Sequence, residues 1–238
     1  MATLNLLYQT EYPINEDITV VIPTVGDIID DEDNYYGLVA TITAMPIDFM
    51  VQLDDAGIDF TSINEWELFL LMFELLKKQD THLILKDLDL SKFEMAMNEQ
   101  NGTVVLVDPE TGVTIDRAIH NEISNVLRKI HHFEKNRRRP GNEEAKKFML
   151  ERARAKMKRN KNRKLDSELE SLIVALVNTE QYKYDFEGTR ELSIYQFNES
   201  VRQVIKKVDY DNRMYGVYTG TISAKELSND DLNWLIHK

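Results

Sequence analysis

Apolar residues divide the first 60 positions into a strand and several short helices. The strand is marked by three residues that recur with a period of two: Ile18, Val20 and Ile22. Thr24 stands three residues before Asp27, which predicts a helix N-cap. The apolar runs 35–44 and 47–53, divided by Pro46, fit either helices or buried strands. We favour short helices for both.

A helix with an aromatic face is predicted next. Ser62 precedes Glu65 at the spacing of a capping box. The apolar residues that follow with helical spacing share one face: Trp66, Phe69, Leu70, Phe73 and Leu76. An aromatic stripe could form a ligand site, but it is more often part of a core, and we interpret it as core.

The period changes from helical to strand-like between residues 92 and 115. Asn101-Gly102 is a strong hairpin signal, and the sequence 108–112 predicts a second turn. The segment therefore predicts a three-stranded antiparallel meander. Because short strands are not stable alone, we expect the meander to pack on the Trp66 helix or to pair with the N-terminal strands.

Another helix is predicted after Asp116, and we expect it to continue into a basic segment. Its apolar face comprises Ala118, Ile119, Ile123, Val126, Leu127, Ile130 and Phe133. His120, His131 and His132 lie on or near this face. No third ligand occurs at metal-binding spacing, so we expect surface or capping histidines, which are favoured near a helix C-terminus.

The chain after residue 165 reads as helices only. Asp166 or Ser167 caps the first, and Ser193 opens a long helix that extends towards Gly220. Its predicted inward residues are Ile194, Phe197, Val201, Val204, Ile205 and Val208. Further capping patterns at Ser223 and Ser228 predict a last helix; it contains Trp234.

Together these elements predict an α+β protein with a small antiparallel sheet in an N-terminal lobe and an all-helical C-terminal lobe. The predicted divisions are an α+β domain over residues 1–133, a basic helical bridge over 134–164 and a helical domain over 165–238.

Charge separates the same three regions. Residues 128–164 hold 16 Lys and Arg against 4 acids, a net charge of +12, although the whole chain carries −12. Residues 1–127 carry −19 and residues 165–238 carry −5. A basic bridge therefore joins two acidic lobes.

The basic bridge has few apolar residues with which to bury itself. Pro140-Gly141 interrupts a helix, and Asn142 is the expected N-cap of the next one. Phe148, Met149 and Met157 are its only candidates for an apolar stripe, so we expect the helix to project, to bridge the lobes or to order on a partner.

Two interpretations of this charge stay open. The bridge is either solvated or paired with acids of this chain or a neighbouring copy, or it binds an anionic partner. Nucleic acid is the weaker option because no aromatic residues interleave with the basic ones for base stacking. The candidate partner-binding residues are Arg137, Arg138, Arg139, Lys146, Lys147, Phe148, Met149, Arg152, Arg154, Lys158 and Arg159.

Composition and motifs point away from several functional classes. The chain has no cysteine, so disulfides and thiolate chemistry are excluded. The acidic cluster Asp30 to Asp33 lacks EF-hand spacing, and we read it as a solvated turn. No phosphate loop, nucleophile elbow or triad spacing occurs. We expect no catalytic residue, cofactor or metal ligand, and cytosolic synthesis without a signal peptide or membrane span.

Several strings in the sequence resemble proteins of a known context: PTVGDIID, YYGLVATITAMPIDFMVQLDD, KFEMAMNEQNG with IDRAI, and YGVYTGTISAKELSNDDLNWLIHK. They are similar to uncharacterised proteins of tailed bacteriophages and prophages of Gram-positive hosts, encoded among virion structure and assembly genes. The resemblance implies phage morphogenesis, with tail or baseplate assembly chaperones as an analogy, and it transfers no catalytic residue.

Three hypotheses follow for the function. The first is a non-enzymatic phage assembly or structural accessory protein that contacts other phage proteins, or copies of itself, in the host cytoplasm or the virion. The second is a nucleic-acid-binding accessory protein that uses the basic helix, although the acidic lobes would repel a long duplex. The third, a carboxylate-dependent enzyme using the Asp30 to Asp33 cluster, rests on an acid-rich loop alone.

Overall fold

The computed structural model describes residues 5–99, 102–160 and 167–235. The α-helices in these ranges are α1 (Val25–Ile29), α2 (Glu32–Ile42), α3 (Met50–Asp55), α4 (Glu65–Leu76), α5 (His82–Leu85), α6 (Arg117–His131), α7 (Glu143–Asn160), α8 (Glu168–Val177), α9 (Phe186–Arg190) and α10 (Ile194–Tyr218). The strands are β1 (Glu11–Pro13), β2 (Thr19–Val21), β3 (Glu94–Met97), β4 (Val104–Val107) and β5 (Thr114–Ile115). Short 3-10 helices cover Pro46–Phe49, Leu90–Lys92 and Ala224–Glu226.

The predicted α+β class is confirmed. Strands β1 and β2 form an antiparallel pair in which Tyr12 lies opposite Val20. Strands β3, β4 and β5 form the predicted antiparallel meander, with Met97 opposite Val104 and Leu106 opposite Ile115. Among the described residues from 167 onwards there are helices and turns but no β-strand.

The meander contacts α4, which is one of the two arrangements that the sequence predicts. The indole nitrogen of Trp66 donates a hydrogen bond to the carbonyl oxygen of Val104 at 3.2 Å. This bond satisfies the polar edge of a buried aromatic ring, which is the usual condition for burying tryptophan. Of the predicted hairpin pair, Asn101 lies outside the described residues, and Gly102 has the positive φ of +68° that favours glycine.

The N-cap of α4 is not the predicted residue. The side chain of Asn64, rather than that of Ser62, accepts hydrogen bonds from the backbone of Trp66 and Glu67, and the Glu67 carboxylate accepts one from the Asn64 backbone. Ser62 instead donates to the Asp59 carbonyl. Two overlapping capping-box spacings occur in this stretch, and the one nearer the apolar run is used.

Helix α6 does not continue into the basic segment, which corrects that expectation. It ends at His131, and His132 adopts a left-handed conformation with φ +55°. The backbone nitrogen of Phe133 donates to the carbonyl of Arg128 at 2.9 Å, a capping pattern that turns the chain out of the helix.

Two histidines of α6 are core residues, so their predicted surface position is wrong. His120 is 2% exposed, and its Nε2 lies 3.2 Å from the Ile42 carbonyl oxygen. His131 Nε2 lies 2.9 Å from the hydroxyl of the fully buried Tyr35. Burial lowers the pKa of His120 to about 4 and that of His131 to about 3, because a charged imidazole loses its hydration there.

The chain forms two compact units that are not continuous in sequence. The central unit comprises Thr10–Ile22 and Asp31–Asp166, and the C-terminal unit comprises Met1–Gln9, Pro23–Asp30 and Ser167–Lys238. The sequence predicts regions that follow one another along the chain. In the structure, residues 23–30 belong to the C-terminal unit, although the segments on both sides of them belong to the central unit. Residues 134–160 belong to the central unit.

The C-terminal unit is built around α10, whose start also holds the exchanged segment. Ser193 is the N-cap of α10, as predicted, and it forms a capping box with Gln196. The backbone of Ile194 donates to the Pro23 carbonyl, and Val25 donates to the Leu192 carbonyl, both at 2.8 Å. Residues 23–30 are therefore fastened to this unit by main-chain hydrogen bonds.

The end of the C-terminal unit departs from two predictions. Ile205, predicted to point inward, is 63% exposed because no described part of this unit covers it. Ser228 and Asp231 make the predicted cap hydrogen bonds, but residues 228–235 form turns. The predicted helix containing Trp234 is thus wrong over the described residues.

No single helix in the described ranges has the length and apolarity of a membrane span. One bent pair, Glu32–Ile42 with Pro46–Asp55 at 119°, meets that test only when its two parts are combined.

The buried histidines predict a stability that depends on pH. In the unfolded chain each imidazole has a pKa near 6.5, so it takes up a proton below that pH, whereas the folded protein resists protonation down to about pH 4 for His120. The free energy of unfolding should therefore fall as the pH drops from about 6.5 towards 4. Each histidine contributes up to about 1.4 kcal/mol per pH unit.

Urea unfolding between neutral and mildly acidic pH measures this slope. His120→Phe should reduce it, since the variant has one buried titrating group fewer. His82→Gln is the matched control, because His82 is exposed on the surface. An unchanged slope in His120→Phe would contradict the burial argument.

Candidate partner-binding surface

Helix α7 carries most of the predicted contact residues, and it packs on the central unit instead of projecting from it. The side chain of Asn142 accepts a hydrogen bond from the Ala145 backbone at 2.8 Å, as expected for an N-cap. Leu150 is the buried residue of the helix. It joins a core cluster with Ala44, Ile47, Leu53, Phe60 and Leu68, and the partly buried Met149 packs against that cluster. The sequence interpretation missed Leu150 and so underestimated what α7 can bury.

Two predicted contact residues are neutralised by acids of the same unit. Lys146 lies 2.7 Å from Asp59, and Arg154 lies 2.7 Å from Asp54 and 2.6 Å from Asp55. The hydrogen bond from Lys146 holds the pKa of the Asp59 carboxyl at about 2. Pairing of the basic helix with acids of this chain, one of the two interpretations left open, is therefore realised at these positions.

Three other predicted residues, Arg137, Arg138 and Arg139, line a cleft of about 430 Å³ in the central unit. Arg117 at the start of α6 and Lys135 add to its cationic lining. Its apolar lining consists of Met45, Pro46, Ile47, Phe60 and Ile63, and its remaining polar lining of Thr61, Asn64, Glu65, Asn121 and Asn136.

The segment that carries the three arginines is anchored at its beginning. Lys135 lies 2.9 Å from one carboxylate oxygen of Glu65, and Arg128 lies 2.7 Å from the other. Asn136 donates to the Asp48 carboxylate at 3.0 Å. Burial alone would raise the pKa of Glu65, but its hydrogen bonds and the charges of Lys135 and Arg128 outweigh burial and lower the pKa. Glu65 therefore stays ionised at neutral pH.

The cleft keeps an excess of positive charge. Among the described residues, Glu65 is the single acid that lines the cleft, and it is already shared by two cations. Within the part of the chain that the structure describes, Arg117 and Arg137 to Arg139 form no side-chain ion pair. Guanidinium groups held in this way can bind carboxylates or phosphates through paired hydrogen bonds.

The remaining predicted residues lie on the solvent side of α7. Lys147, Arg152, Lys158 and Arg159 are exposed, and Phe148 is 58% exposed. The Arg152 guanidinium lies 5.6 Å from the centre of the Phe148 ring, within the range of a cation–π contact. The structure thus divides the predicted set among the cleft, the ion pairs of α7, its outer face and, for Met149, the edge of the core cluster.

Sequence reasoning missed Arg117, Lys135 and Asn121 as parts of the cleft. Arg117 and Asn121 stand near the start of α6, whereas Lys135 follows its end. They meet because the chain leaves α6 at the left-handed His132 and runs back along the helix. A left-handed histidine has no strong sequence signal, although a basic residue isolated in an acidic stretch, as Arg117 is, could have drawn attention.

The acidic cluster has ordinary structural roles at its first two positions. Asp30 pairs with Arg190 at 2.8 Å, and the Asp31 carboxylate accepts a hydrogen bond from the Asn34 side chain. Among the described residues, no three His, Asp or Glu side chains are arranged to hold a metal ion.

Comparisons with known proteins give one family match. A family model described as the second domain of YomV matches residues 158–237, which include α8, α9 and α10. The name is of the kind given to Bacillus phage and prophage protein families, so the match is consistent with a phage protein. No curated protein and no solved structure matches the chain. The cationic cleft lies outside the matched residues.

The docking of α7 predicts different effects for two neighbouring substitutions. Leu150→Ala should lower the free energy of unfolding by about 2–3 kcal/mol, because it removes buried methyl groups from the core cluster. Phe148→Ala should change it by less than about 0.5 kcal/mol, because that ring is largely in solvent. Urea unfolding of both variants measures the difference, and equal effects would argue against the packing of α7 on the central unit.

Proposed function

We propose that this chain is a non-enzymatic accessory protein of a phage or prophage that binds an acidic protein partner during virion assembly. The partner would belong to the tail or baseplate, and binding would take place in the host cytoplasm, with the protein either released or kept in the particle. The family match over residues 158–237 supports the phage context. The assembly role and the partner class rest on the cleft and on the resemblance of the sequence.

One observation carries the proposal: the chain leaves its cleft arginines unpaired while it neutralises two cations of α7. Lys146 and Arg154 have carboxylates within 2.7 Å, whereas Arg137 to Arg139 have no ionic partner among the described residues. A set of like charges is a cost to the folded protein unless something binds it. Uncompensated charge around a cleft also steers and orients an oppositely charged partner.

A protein partner fits this cleft better than a nucleic acid. Phosphate binding needs cations spread along a backbone path, and the net charge of −19 on residues 1–127 opposes a long duplex. The lining of the cleft is also partly apolar, which a phosphate chain does not need. An enzyme that uses the acidic cluster is not favoured, because Asp30 and Asp31 already have partners within the chain.

Nucleic-acid binding remains the second candidate, and the outer face of α7 favours it. Lys147, Arg152, Lys158 and Arg159 are exposed along about 18 Å of helix, given a rise of about 1.5 Å per residue. Cations spread over that length could contact successive phosphates of a nucleic acid. Its affinity for DNA would fall steeply with salt concentration.

Affinity capture from phage-producing cells tests the proposal with two variants of equal charge change. The triple variant Arg137→Glu, Arg138→Glu, Arg139→Glu should capture about tenfold less of the bound virion proteins than the unmodified chain, since its charges now repel an acidic partner. The triple variant Lys147→Glu, Lys158→Glu, Arg159→Glu should keep them.

Nuclease treatment and circular dichroism complete this experiment. The captured proteins should survive nuclease, and both variants should keep the helical spectrum of the unmodified chain. Proteins that are lost on nuclease treatment, together with dependence on the α7 variant alone, would transfer the function to nucleic-acid binding.

A further inference from the structure

We infer that the cleft binds an extended acidic segment of the partner, with one apolar side chain of that segment seated between its carboxylates. This inference rests on the proposed function and adds what part of the partner is recognised. Three features of the cleft support this inference: the chemistry of its lining residues, the polar groups among them that can still form hydrogen bonds, and its volume.

The lining of the cleft combines two chemistries. One part consists of arginines, namely Arg117 of α6 and the segment 137–139. Another part belongs to the edge of the core cluster, where Ile47 and Phe60 are buried and Met45 and Ile63 are only partly buried. Partly buried apolar groups gain from a further apolar side chain that covers them. A purely anionic ligand would leave this apolar part of the lining uncovered.

Side-chain amides in the lining suit a peptide backbone. The side chain of Asn121 makes no hydrogen bond within the described ranges. Asn64 uses its carbonyl oxygen to cap α4, which leaves its amide nitrogen as a donor for an added carbonyl group. An extended segment exposes backbone donors and acceptors that need such partners when they leave water.

The enclosed volume and the aromatic content favour a peptide over a nucleic acid. A cleft of about 430 Å³ accepts a few side chains and is within the range of sites that bind small ligands. Phe60 is the one aromatic residue among the described residues that line the cleft. It is 4% exposed, and the Lys146 ammonium lies 5.9 Å from the centre of its ring. It offers no open face on which a base could stack.

Binding of short labelled probes to the full chain, followed by fluorescence anisotropy, tests this inference. The first peptide has a central leucine between pairs of Asp and Glu, and the second has serine in place of the leucine. A single-stranded oligodeoxythymidine is the third probe. The leucine peptide should bind about tenfold to a hundredfold more tightly than the serine peptide, as expected for burying one apolar side chain. Both peptides should bind more tightly than the oligonucleotide.

Two protein variants assign that preference to the cleft. Ile63→Ser should reduce the ratio between the two peptides to under about threefold and leave the weak, salt-dependent binding of the serine peptide in place. The triple variant Arg137→Glu, Arg138→Glu, Arg139→Glu should lose both peptides. Urea unfolding checks that each variant is folded, and the comparison of the two peptides on the unmodified chain needs no variant at all.

Each contrary result has a distinct meaning. Equal binding of the two peptides overturns the inference, and it leaves the proposed function standing if capture of virion proteins still depends on the three arginines. Tighter binding of the oligonucleotide overturns both. A concentration-dependent dimer in sedimentation that disappears with the arginine variant, without any peptide binding, overturns the inference in favour of a second copy of the chain as the occupant. Peptide binding without arginine-dependent capture keeps the inference and removes the proposed function.

Discussion

The cleft depends on one carboxylate that compensates two cations. Glu65 at the start of α4 binds Arg128 from α6 and Lys135 from the segment that follows α6. Arg128 also donates to the Thr43 carbonyl just after α2, so the network joins four pieces of the central unit. Breaking a buried ion pair by removing one partner typically costs about 3–5 kcal/mol, because the other charge is left without compensation. The network therefore fixes the place at which the chain begins its return along α6, and that place determines where the three arginines stand.

The basic segment has two different functions in the folded chain. Its helical part is held by Leu150 in the core and by carboxylates from the end of α3 and from Asp59. Its irregular part presents arginines without such partners. A uniformly basic sequence thus folds into a compensated region that stabilises the unit and an uncompensated region that is open to an anionic ligand. Because surface ion pairs contribute little stability, the buried leucine is the stronger of the two attachments of α7.

Local signals in the sequence predicted most of the secondary structure, and long-range contacts account for the failures. The meander and the starts of α6 and α10 follow from period, turn and capping patterns that act within a few residues. The core positions of His120 and His131 could not be predicted, since they depend on the Ile42 carbonyl and on Tyr35, which lie far away along the chain. Likewise, composition located the basic segment but not the cleft. The cleft forms only when the backbone turns at His132 and brings residues from both ends of α6 together.

The exchange of residues 23–30 between the units affects the order in which the chain can fold during synthesis. This segment leaves the ribosome early, but it belongs to a unit whose other helices begin at residue 168. Val25, which is buried in the finished protein and lies near Ile173 and Phe186, must therefore wait for those later residues before they can help to cover it. Such distant pairings slow folding and keep apolar surface exposed to aggregation or to chaperones. A fragment that ends after α7 would keep that exposed surface permanently, so the two units cannot be separated by a single cut in the gene.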